Sequence, residues 1–575
     1  MSRHFDQQNN RVNYGEALTP PQGYELDFAV GLTYSLDLEA FLSVPVFLSC
    51  AEQTDEISNN PYLMLESIRK NSEKIALFCN GDGIKYVNPR NAAFFAMIEN
   101  CVHPISMPEK SYFHPKLWVI RYKKAECPDK LRVIVLSRNL TFDQSMDIAV
   151  TLEAEATDIY NEAHQGLADM IAFVAKKTTP KKKRDKIIGL ADSIMHAGDF
   201  DCGSDFESYR FVPFGIDGHR KESDVFFSWA YDTIVVSPFL TDSVVLKMAE
   251  NAKSKKLITR ISSASKKAFE AFDEVWIPKE EILNNEILEE GNEDGAFRDL
   301  HAKIVYRTTS AGNYLYLGSL NTTANAFYKN IEFMLELKYK PYHGGYWTVH
   351  DDLLPNDNNV FRKLDAPNLE AITETDDMLS DFSDVVRAIE SAKVVADGDA
   401  YQITIRSKRL TNSVEIAPLM RPAAVKRLEE ETAFDGIQLQ ELSCFYIVKR
   451  DDQKRIVKIH TKGIPEDRND VLFNQILKME NGGFFAYLLF LLSGGRSEAA
   501  FQQEDFRRLL SNGKNSKILR SMAPSLYEQL LRAASESTDT ITNISDVINK
   551  VDPDMIDSSL KELIELIKSS VRKRR

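Results

Sequence analysis

The sequence has little of what marks a membrane protein or a secreted protein. Its longest apolar run, residues 484–492, is far short of the ~20 residues that cross a bilayer, and we interpret it as a buried helix. The first residues are polar, so we expect no signal peptide. Six cysteines in 575 residues are too few for a disulfide framework and fit a reducing compartment. We therefore expect a cytoplasmic protein that does not enter a membrane.

The sequence also lacks an excess of positive charge. It has 71 lysines and arginines against 85 aspartates and glutamates, a formal net charge of −14. Strongly basic chains indicate nucleic-acid binding, and this overall balance does not. A cleft for a polyanion can still be basic, because affinity depends on the local potential. The acidity also suits a protein partner that supplies part of the nucleic-acid binding surface.

Several common catalytic motifs are absent. The sequence contains no Gly-x-x-x-x-Gly-Lys-Ser/Thr phosphate loop, no His-Glu-x-x-His and no Gly-x-Ser-x-Gly. Paired Cys-x-x-Cys elements are missing, and the spacing of Cys79, Cys101 and His103 matches no zinc module. We interpret these cysteines as buried, and we expect no metal site and no cofactor.

One composite pattern occurs twice in the sequence. Each copy has a histidine, a lysine two residues later, two apolar β-forming runs and then a Ser-x-Asn sequence. The two copies consist of His114, Lys116, Ser137 and Asn139, and of His301, Lys303, Ser319 and Asn321. Two further His-x-Lys triplets, at 219–221 and 460–462, lack the downstream part, and we interpret them as surface residues. The whole pattern, rather than the triplet, is the discriminating feature.

The spacing has a geometric explanation. Residues two apart lie on the same face of a strand, so His114 and Lys116 are expected to project together from one strand. The same holds for His301 and Lys303. An asparagine directly after a strand can point its amide into a cleft at the strand ends. The plain alternative is a pair of ordinary strands with a histidine at each end, and the shared order of both copies argues against it.

At these residues the chain resembles the phospholipase D superfamily, and within it the tyrosyl-DNA phosphodiesterase and bacterial nuclease branch. The resemblance covers roughly residues 25–340. It implies an α/β fold in which two similar phospholipase D-type lobes form a pseudo-dimer, to which we expect a C-terminal α+β extension. The longer lipase motif has an aspartate five residues after the lysine. Arg121 and Thr308 stand there, which leaves the short His-Lys-Asn form of the DNA phosphodiesterases.

The resemblance implies a role for each catalytic side chain. One histidine attacks phosphorus to form a phosphohistidine, and the other protonates the leaving oxygen and then activates water. By the family's pattern His114 is the nucleophile and His301 the general acid and base, but the likeness of the halves leaves the order open. The lysines and asparagines would bind the phosphate oxygens.

The resemblance also implies supporting residues. Ser137 and Ser319 would add hydroxyl donors. The family usually places an acidic residue or a glutamine after each asparagine, where it bonds a histidine ring. Glu332 fits this position in the second copy. In the first copy Asp147 is the best counterpart and Glu153 is the rival.

These features predict a metal-independent phosphodiesterase, a nuclease whose partner is DNA in preference to RNA. The resemblance to bacterial nucleases suggests antiviral defence, either restriction or phage defence, beside a protein partner such as a helicase bound through the C-terminal region. Two alternatives stay open. One is a DNA end-processing phosphodiesterase that removes 3′ adducts such as tyrosine. The other is a catalytically silent nucleic-acid-binding subunit of a larger complex.

Shifts in composition predict how the chain is divided. We expect lobes at 1–180 and 181–345, an acidic junction at 346–400, a β-rich module at 401–465 and a helical module at 466–575. A basic, proline-broken run at 176–184 indicates an exposed connection between the lobes.

Overall fold

The computed structural model describes residue 5 and then most of the chain from residue 12 to residue 572. The described ranges are 12–49, 61–87, 91–142, 145–279, 299–354, 360–365, 382–479, 483–492, 530–534, 538–556 and 558–572. Part of the predicted acidic junction, 366–381, therefore lies outside the described residues. Helices and several sheets alternate along the chain, which makes it a mixed α/β protein.

The first lobe is built on a six-stranded sheet with the order β3-β2-β1-β4-β5-β7. Its strands, and the short β6 that lies outside this sheet, are β1 (Glu25–Leu32), β2 (Ile75–Asn80), β3 (Val102–Ile105), β4 (Leu117–Lys123), β5 (Lys130–Leu136), β6 (Ser145–Met146) and β7 (Ala149–Glu155). Its helices are α1 (Tyr14–Leu18), α2 (Leu38–Phe47), α3 (Pro61–Asn71), α4 (Ala92–Ile98), α5 (Gln165–Lys176) and α6 (Lys181–Met195).

The second lobe is built on an eight-stranded sheet with the order β16-β11-β10-β9-β13-β14-β15-β8. Its strands, with the short β12, are β8 (Phe206–Phe214), β9 (Ala230–Val236), β10 (Ala252–Ile258), β11 (Glu274–Pro278), β12 (Asp299–Leu300), β13 (Ile304–Thr309), β14 (Gly312–Gly318), β15 (Glu332–Tyr339) and β16 (Phe361–Lys363). Its helices are α7 (Asp242–Glu250), α8 (Lys266–Ala271), α9 (Ala324–Tyr328) and α10 (Tyr346–Leu353).

The two sheets repeat one topology over six strands. In the first sheet β1, β2 and β3 run parallel, and β4, β5 and β7 follow antiparallel to their neighbours. In the second sheet β9, β10 and β11 run parallel, and β13, β14 and β15 follow in the same antiparallel way. The repeated motif of the sequence thus begins at equivalent strands, β4 and β13.

The two sheets share one hydrophobic core. Buried side chains of both sheets, such as Val119 and Phe333, belong to one cluster with residues of α5, α6 and α10. The backbone also joins the lobes. His114 N donates to Ile331 O at 2.9 Å, and His301 N donates to Met146 O at 2.9 Å, beside the parallel pairing of β6 with β12. Both motif histidines therefore lie at the contact between the lobes.

The basic run at 176–184 is only partly the exposed connection that was expected. From Lys181 onward it forms α6, in which Lys181 and Lys182 are exposed but Lys183 is buried. Lys183 Nζ donates to the carbonyl oxygens of Ser72 at 3.0 Å and Ile75 at 2.8 Å. These acceptors compensate the buried ammonium, so this lysine fastens α6 to the first lobe.

A β module follows the second lobe. It contains α11 (Ser383–Ala388) and two four-stranded sheets around a separate core. The strands are β17 (Ile389–Asp397), β18 (Ala400–Ser407), β19 (Glu415–Pro418), β20 (Lys426–Arg427), β21 (Glu431–Ile437), β22 (Phe445–Arg450), β23 (Gln453–Lys458) and β24 (Thr461–Lys462). The β-rich character predicted from residue 401 thus begins at residue 389.

Four helices end the described chain, α12 (Arg468–Met479), α13 (Gly483–Leu492), α14 (Thr538–Ile548) and α15 (Ser558–Arg572). Their buried residues pack into the same cluster as one face of the first sheet. The apolar run of the sequence forms α13, where Phe484, Tyr487 and Leu488 are buried. Among the described helices, none combines the length and the apolar character that a bilayer crossing requires.

Candidate active site

The sequence predicted that the two His-x-Lys segments lie on strands. In the structure they lie directly before them. The ladder of β4 begins at Leu117, and that of β13 at Ile304. The backbone before each strand pairs instead with the other lobe, through Ile331 and Met146. These inter-lobe hydrogen bonds hold the chain extended, which keeps each histidine beside its lysine.

The first half-site is fully enclosed. His114 Nδ1 lies 2.8 Å from Glu332 Oε2. Lys116 Nζ lies 3.0 Å from His114 Nε2 and donates to the His114 carbonyl at 3.1 Å. Glu332 also accepts hydrogen bonds from the Ser319 hydroxyl and, at 3.1 Å, from Asn330 Nδ2. Glu332 accepts a hydrogen bond from Nδ1–H of His114, which leaves Nε2 without a proton and able to accept from Lys116 Nζ.

The protonation state of His114 follows from its surroundings. Burial lowers the pKa of His114 to about 4, and the charges of Lys116 and Lys303 act in the same direction against the opposing effect of Glu332. The ring is therefore neutral near pH 7. A neutral imidazole whose Nε2 carries no proton is the form that a nucleophile requires. The contribution of Lys303 also shows that both copies of the motif lie within electrostatic range of one ring.

The second half-site has the same parts in a more open setting. His301 Nδ1 lies 3.0 Å from Asp147 Oδ1, and Lys303 Nζ donates to the His301 carbonyl at 2.6 Å. Asp147 also accepts from the hydroxyls of Ser137 and Ser145, each at 2.8 Å. Burial acts to raise the pKa of Asp147, but its hydrogen bond with His301 and the nearby positive charge outweigh burial and lower it to about 2. Asp147 is thus a carboxylate that orients His301.

The acids are exchanged between the two copies. Asp147 follows the first motif and holds the histidine of the second, whereas Glu332 follows the second motif and holds the histidine of the first. The rival Glu153 lies on the surface in an ion pair with Arg132 at 2.5 Å. The sequence indicated both acids but not the exchange, which ties the two half-sites into one site between the lobes.

The two motif asparagines differ in their partners. Asn139 Oδ1 accepts from Ser35 N at 3.3 Å, so this amide also holds the turn after β1. Asn321 is equally buried, yet its Oδ1 has no hydrogen-bond partner within the described residues. A buried amide oxygen without a partner is rare in folded proteins, and here it belongs to the second copy of the motif.

Sequence reasoning missed two residues that line the first half-site. The ring of Tyr34 lies with its centroid 4.9 Å from that of His114, and Lys116 Nζ lies 5.9 Å from the Tyr34 centroid. Asn80 Oδ1 accepts from Phe113 N at 2.9 Å. Tyr34 follows β1 and Asn80 ends β2, two parallel strands. The rule that ligands bind at the carboxyl ends of parallel strands could have indicated both.

The other His-x-Lys triplets take no part in this site. His219 pairs with Asp169 at 2.8 Å and is partly buried, while Lys221 is exposed. His460 and Lys462 are exposed, as predicted. Cys79 and Cys101 are buried and free, also as predicted.

Comparisons with known proteins give matches among solved structures alone. No protein-family model matches the chain, and no curated protein matches it. The structure is similar to solved structures of the yeast tyrosyl-DNA phosphodiesterase. One has a TM-score of 0.35 and 11% identity, and the match covers 57% of this chain and 85% of that chain. A histidine-to-alanine variant has a TM-score of 0.36, 10% identity and coverage of 59% and 88%.

A second similar structure is a polyphosphate kinase from Porphyromonas gingivalis. It has a TM-score of 0.32 and 9% identity, and the match covers 58% of this chain and 44% of that chain. Overlaps at these TM-scores carry no information on substrate or mechanism, which have to come from the side chains of the chain itself.

Proposed function

We propose that this chain is a phosphodiesterase that cleaves nucleic acid at one site, shared by two lobes that form a pseudo-dimer. The observation that carries the proposal is the exchange of His114–Glu332 and His301–Asp147 across the lobes. It supplies two oriented imidazoles, and a lysine follows two residues after each of them. These are the groups that a two-step displacement at phosphorus needs.

In the first step, His114 Nε2 forms a bond to phosphorus while the bond from phosphorus to the leaving oxygen breaks. His301, as the imidazolium, donates its proton to that oxygen. The positive charge that the ring of His114 acquires is stabilised by Glu332, 2.8 Å away. Lys116 and Lys303 stabilise the negative charge that builds on the non-bridging oxygens.

In the second step, the now neutral His301 takes a proton from a water molecule. The water oxygen bonds to phosphorus, the bond from phosphorus to His114 breaks, and the electron pair returns to Nε2. His114 is again neutral, in keeping with its lowered pKa. Because the two lysines supply the positive charge, we propose that the reaction needs no metal ion.

A cleavage panel in EDTA tests this function. Labelled single-stranded and double-stranded DNA and RNA, and a 3′-tyrosyl oligonucleotide, would be incubated with the parent, with His114→Ala and with His460→Ala. The last variant is the matched control, because His460 belongs to an exposed His-x-Lys triplet. We expect the parent and the control to cleave and His114→Ala to be inactive. Loss of cleavage in EDTA with recovery on adding Mg²⁺ would contradict the mechanism.

We also propose a role in bacterial restriction or phage defence beside a helicase-type partner, which rests on the resemblance of the motifs to bacterial nucleases. Phage plating efficiency on cells that produce the parent, His114→Ala or His460→Ala, each with the candidate partner, tests it. We expect plating to fall with the parent and the His460 control only. Equal plating on all three would contradict the role.

A further inference from the structure

The β module reaches the edge of the first half-site. Ile456 N donates to the carbonyl of Ile84 at 3.2 Å, and Lys85 forms an antiparallel bridge with Arg455. Strand β23 is thereby added to a segment of the first lobe that follows β2. This contact fixes the backbone position of Arg455 beside the first lobe.

The segment that Arg455 joins is part of the wall of the site. Leu36 forms parallel bridges with Ile84 on one side and with Leu140 on the other. Leu140 directly follows the motif residue Asn139, whose side chain holds Ser35 N. Only the turn after β1 therefore separates the β module from the first Ser-x-Asn sequence.

The guanidinium of Arg455 has unused hydrogen-bonding capacity. Arg455 is half-buried, its Nε is buried without a partner within the described residues, and its Nη1 donates to the Lys454 carbonyl at 3.0 Å. Burial lowers the pKa of Arg455, and the nearby Asp82 carboxyl and Tyr34 hydroxyl oppose this effect. Tyr34 packs on His114, so the charge of Arg455 acts on a residue that contacts the first half-site.

Two further cations lie on the same pair of strand segments as Arg455. Lys454 lies with its Nζ 5.0 Å from the ring centroid of Tyr86, and Lys85 is the bridge partner of Arg455. Within the described residues, none of these three side chains forms an ion pair. The Asp82 carboxyl acts on Arg455 without forming an ion pair with it, so the guanidinium can still attract an anionic ligand. A guanidinium with spare donors fits the planar, bidentate geometry of a phosphate.

We propose that Arg455 binds a backbone phosphate that flanks the scissile one, so that the β module forms one side of the substrate groove. The inference rests on the proposed function and adds a residue outside both motifs. It makes the β module a substrate-positioning unit.

Binding by the full chain tests the inference. In a His114→Ala background, the affinity for a short fluorescent single strand would be measured by anisotropy over a series of salt concentrations. Arg455→Gln should weaken binding about tenfold, the size of one charge-assisted contact, and should reduce the salt slope by about 0.7. Arg406→Gln is the matched control, because Arg406 lies exposed on β18 in a loose 3.7 Å pair with Glu431, and it should leave both quantities unchanged.

A cleavage measurement separates substrate binding from a structural role. With the His114 background restored, Arg455→Gln should reduce kcat/KM for an oligonucleotide about tenfold more than for bis(p-nitrophenyl) phosphate, which has no flanking phosphate. Most of the loss should be in KM, and Arg455→Lys should restore most of the salt slope. Equal losses on the two substrates, or the same affinity and slope as in Arg406→Gln, would overturn the inference alone. Absence of any oligonucleotide binding and cleavage by the parent would overturn the proposed function and this inference with it.

Discussion

The two half-sites hold the same residue types in different surroundings. The side chains of His114 and Glu332 are 4% and 0% exposed, whereas those of His301 and Asp147 are 11% and 12% exposed. The closed half-site depresses the pKa of its histidine to about 4, and the other half-site leaves its histidine more exposed. In the proposed mechanism this difference in environment gives one copy of the motif the nucleophile and the other the acid and base.

One residue accounts for part of this difference. The bridges Leu36–Leu140 and Leu240–Thr322 are equivalent in the two lobes. Counting back two residues from each leucine places Tyr34 in the first lobe and Pro238 in the second. The Tyr34 ring packs on His114. Pro238 has a much shorter side chain and cannot cover His301 in the same way.

The largest expected effect on activity comes from replacing the two histidines of the half-sites. His114→Ala should abolish turnover, because no other group forms the intermediate. His301→Ala should slow it by roughly a hundredfold to ten-thousandfold, the usual worth of a positioned acid and base. Initial rates on one oligonucleotide, with His460→Ala as control, measure both. A larger loss from His301→Ala than from His114→Ala would contradict the assignment of roles.

Replacing the exchanged acids, Glu332 and Asp147, should also reduce activity, but by less than replacing the histidines. Glu332→Gln keeps the shape of the buried side chain but removes the charge that faces His114 Nδ1, and we expect kcat to fall roughly a hundredfold. Asp147→Asn should cost less, because the side chains of the second half-site are more exposed to solvent, which screens the lost charge. The comparison of kcat for the two variants checks this order. A greater loss of kcat from Asp147→Asn would show that activity does not depend more strongly on the acid of the closed half-site.

Stability should depend on pH through His114. Its pKa is about 4 in the folded chain and about 6.5 when unfolded, so between these values the unfolded state binds a proton that the folded state does not. Unfolding free energy should therefore decrease as pH falls from 6.5 to 4, by roughly 1 kcal/mol per pH unit. Urea unfolding of the parent and His114→Gln at pH 7, 6 and 5 measures it. Identical pH dependence in both would be the contrary result.

The smallest expected effects come from replacing the two motif asparagines. Asn139→Ala leaves Ser35 N without its acceptor and should lower the free energy of unfolding by about 1 kcal/mol. Asn321→Ala removes an amide oxygen that has no hydrogen-bond partner in the described part of the chain and should change stability less, while reducing the rate. Chemical unfolding and initial rates of both variants separate the two cases. A larger stability loss in Asn321→Ala would mean that its amide is structural.

The sequence predicted the residues of the candidate site better than their assembly. Local spacing was enough to single out the two His-Lys-Asn sets and the strands that follow them. The family resemblance indicated Glu332 and Asp147, with Glu153 as the rival of Asp147. The exchange of Asp147 and Glu332 was missed because it joins residues 154 and 218 positions apart, and no local periodicity reports such a pairing. The burial of Lys183 and the reach of Arg455 were missed for the same reason, since both depend on contacts between separate parts of the chain.

The central claim is that one imidazole from each lobe acts on the same phosphorus atom. The most direct test is to incubate His301→Ala with an oligonucleotide labelled next to the scissile phosphate, quench in denaturant, and locate the retained label by peptide mapping. The account predicts a phosphoramidate on His114 that persists in His301→Ala and is absent when His114 is also replaced by alanine. Label on another residue, or efficient cleavage by the double variant, would contradict it.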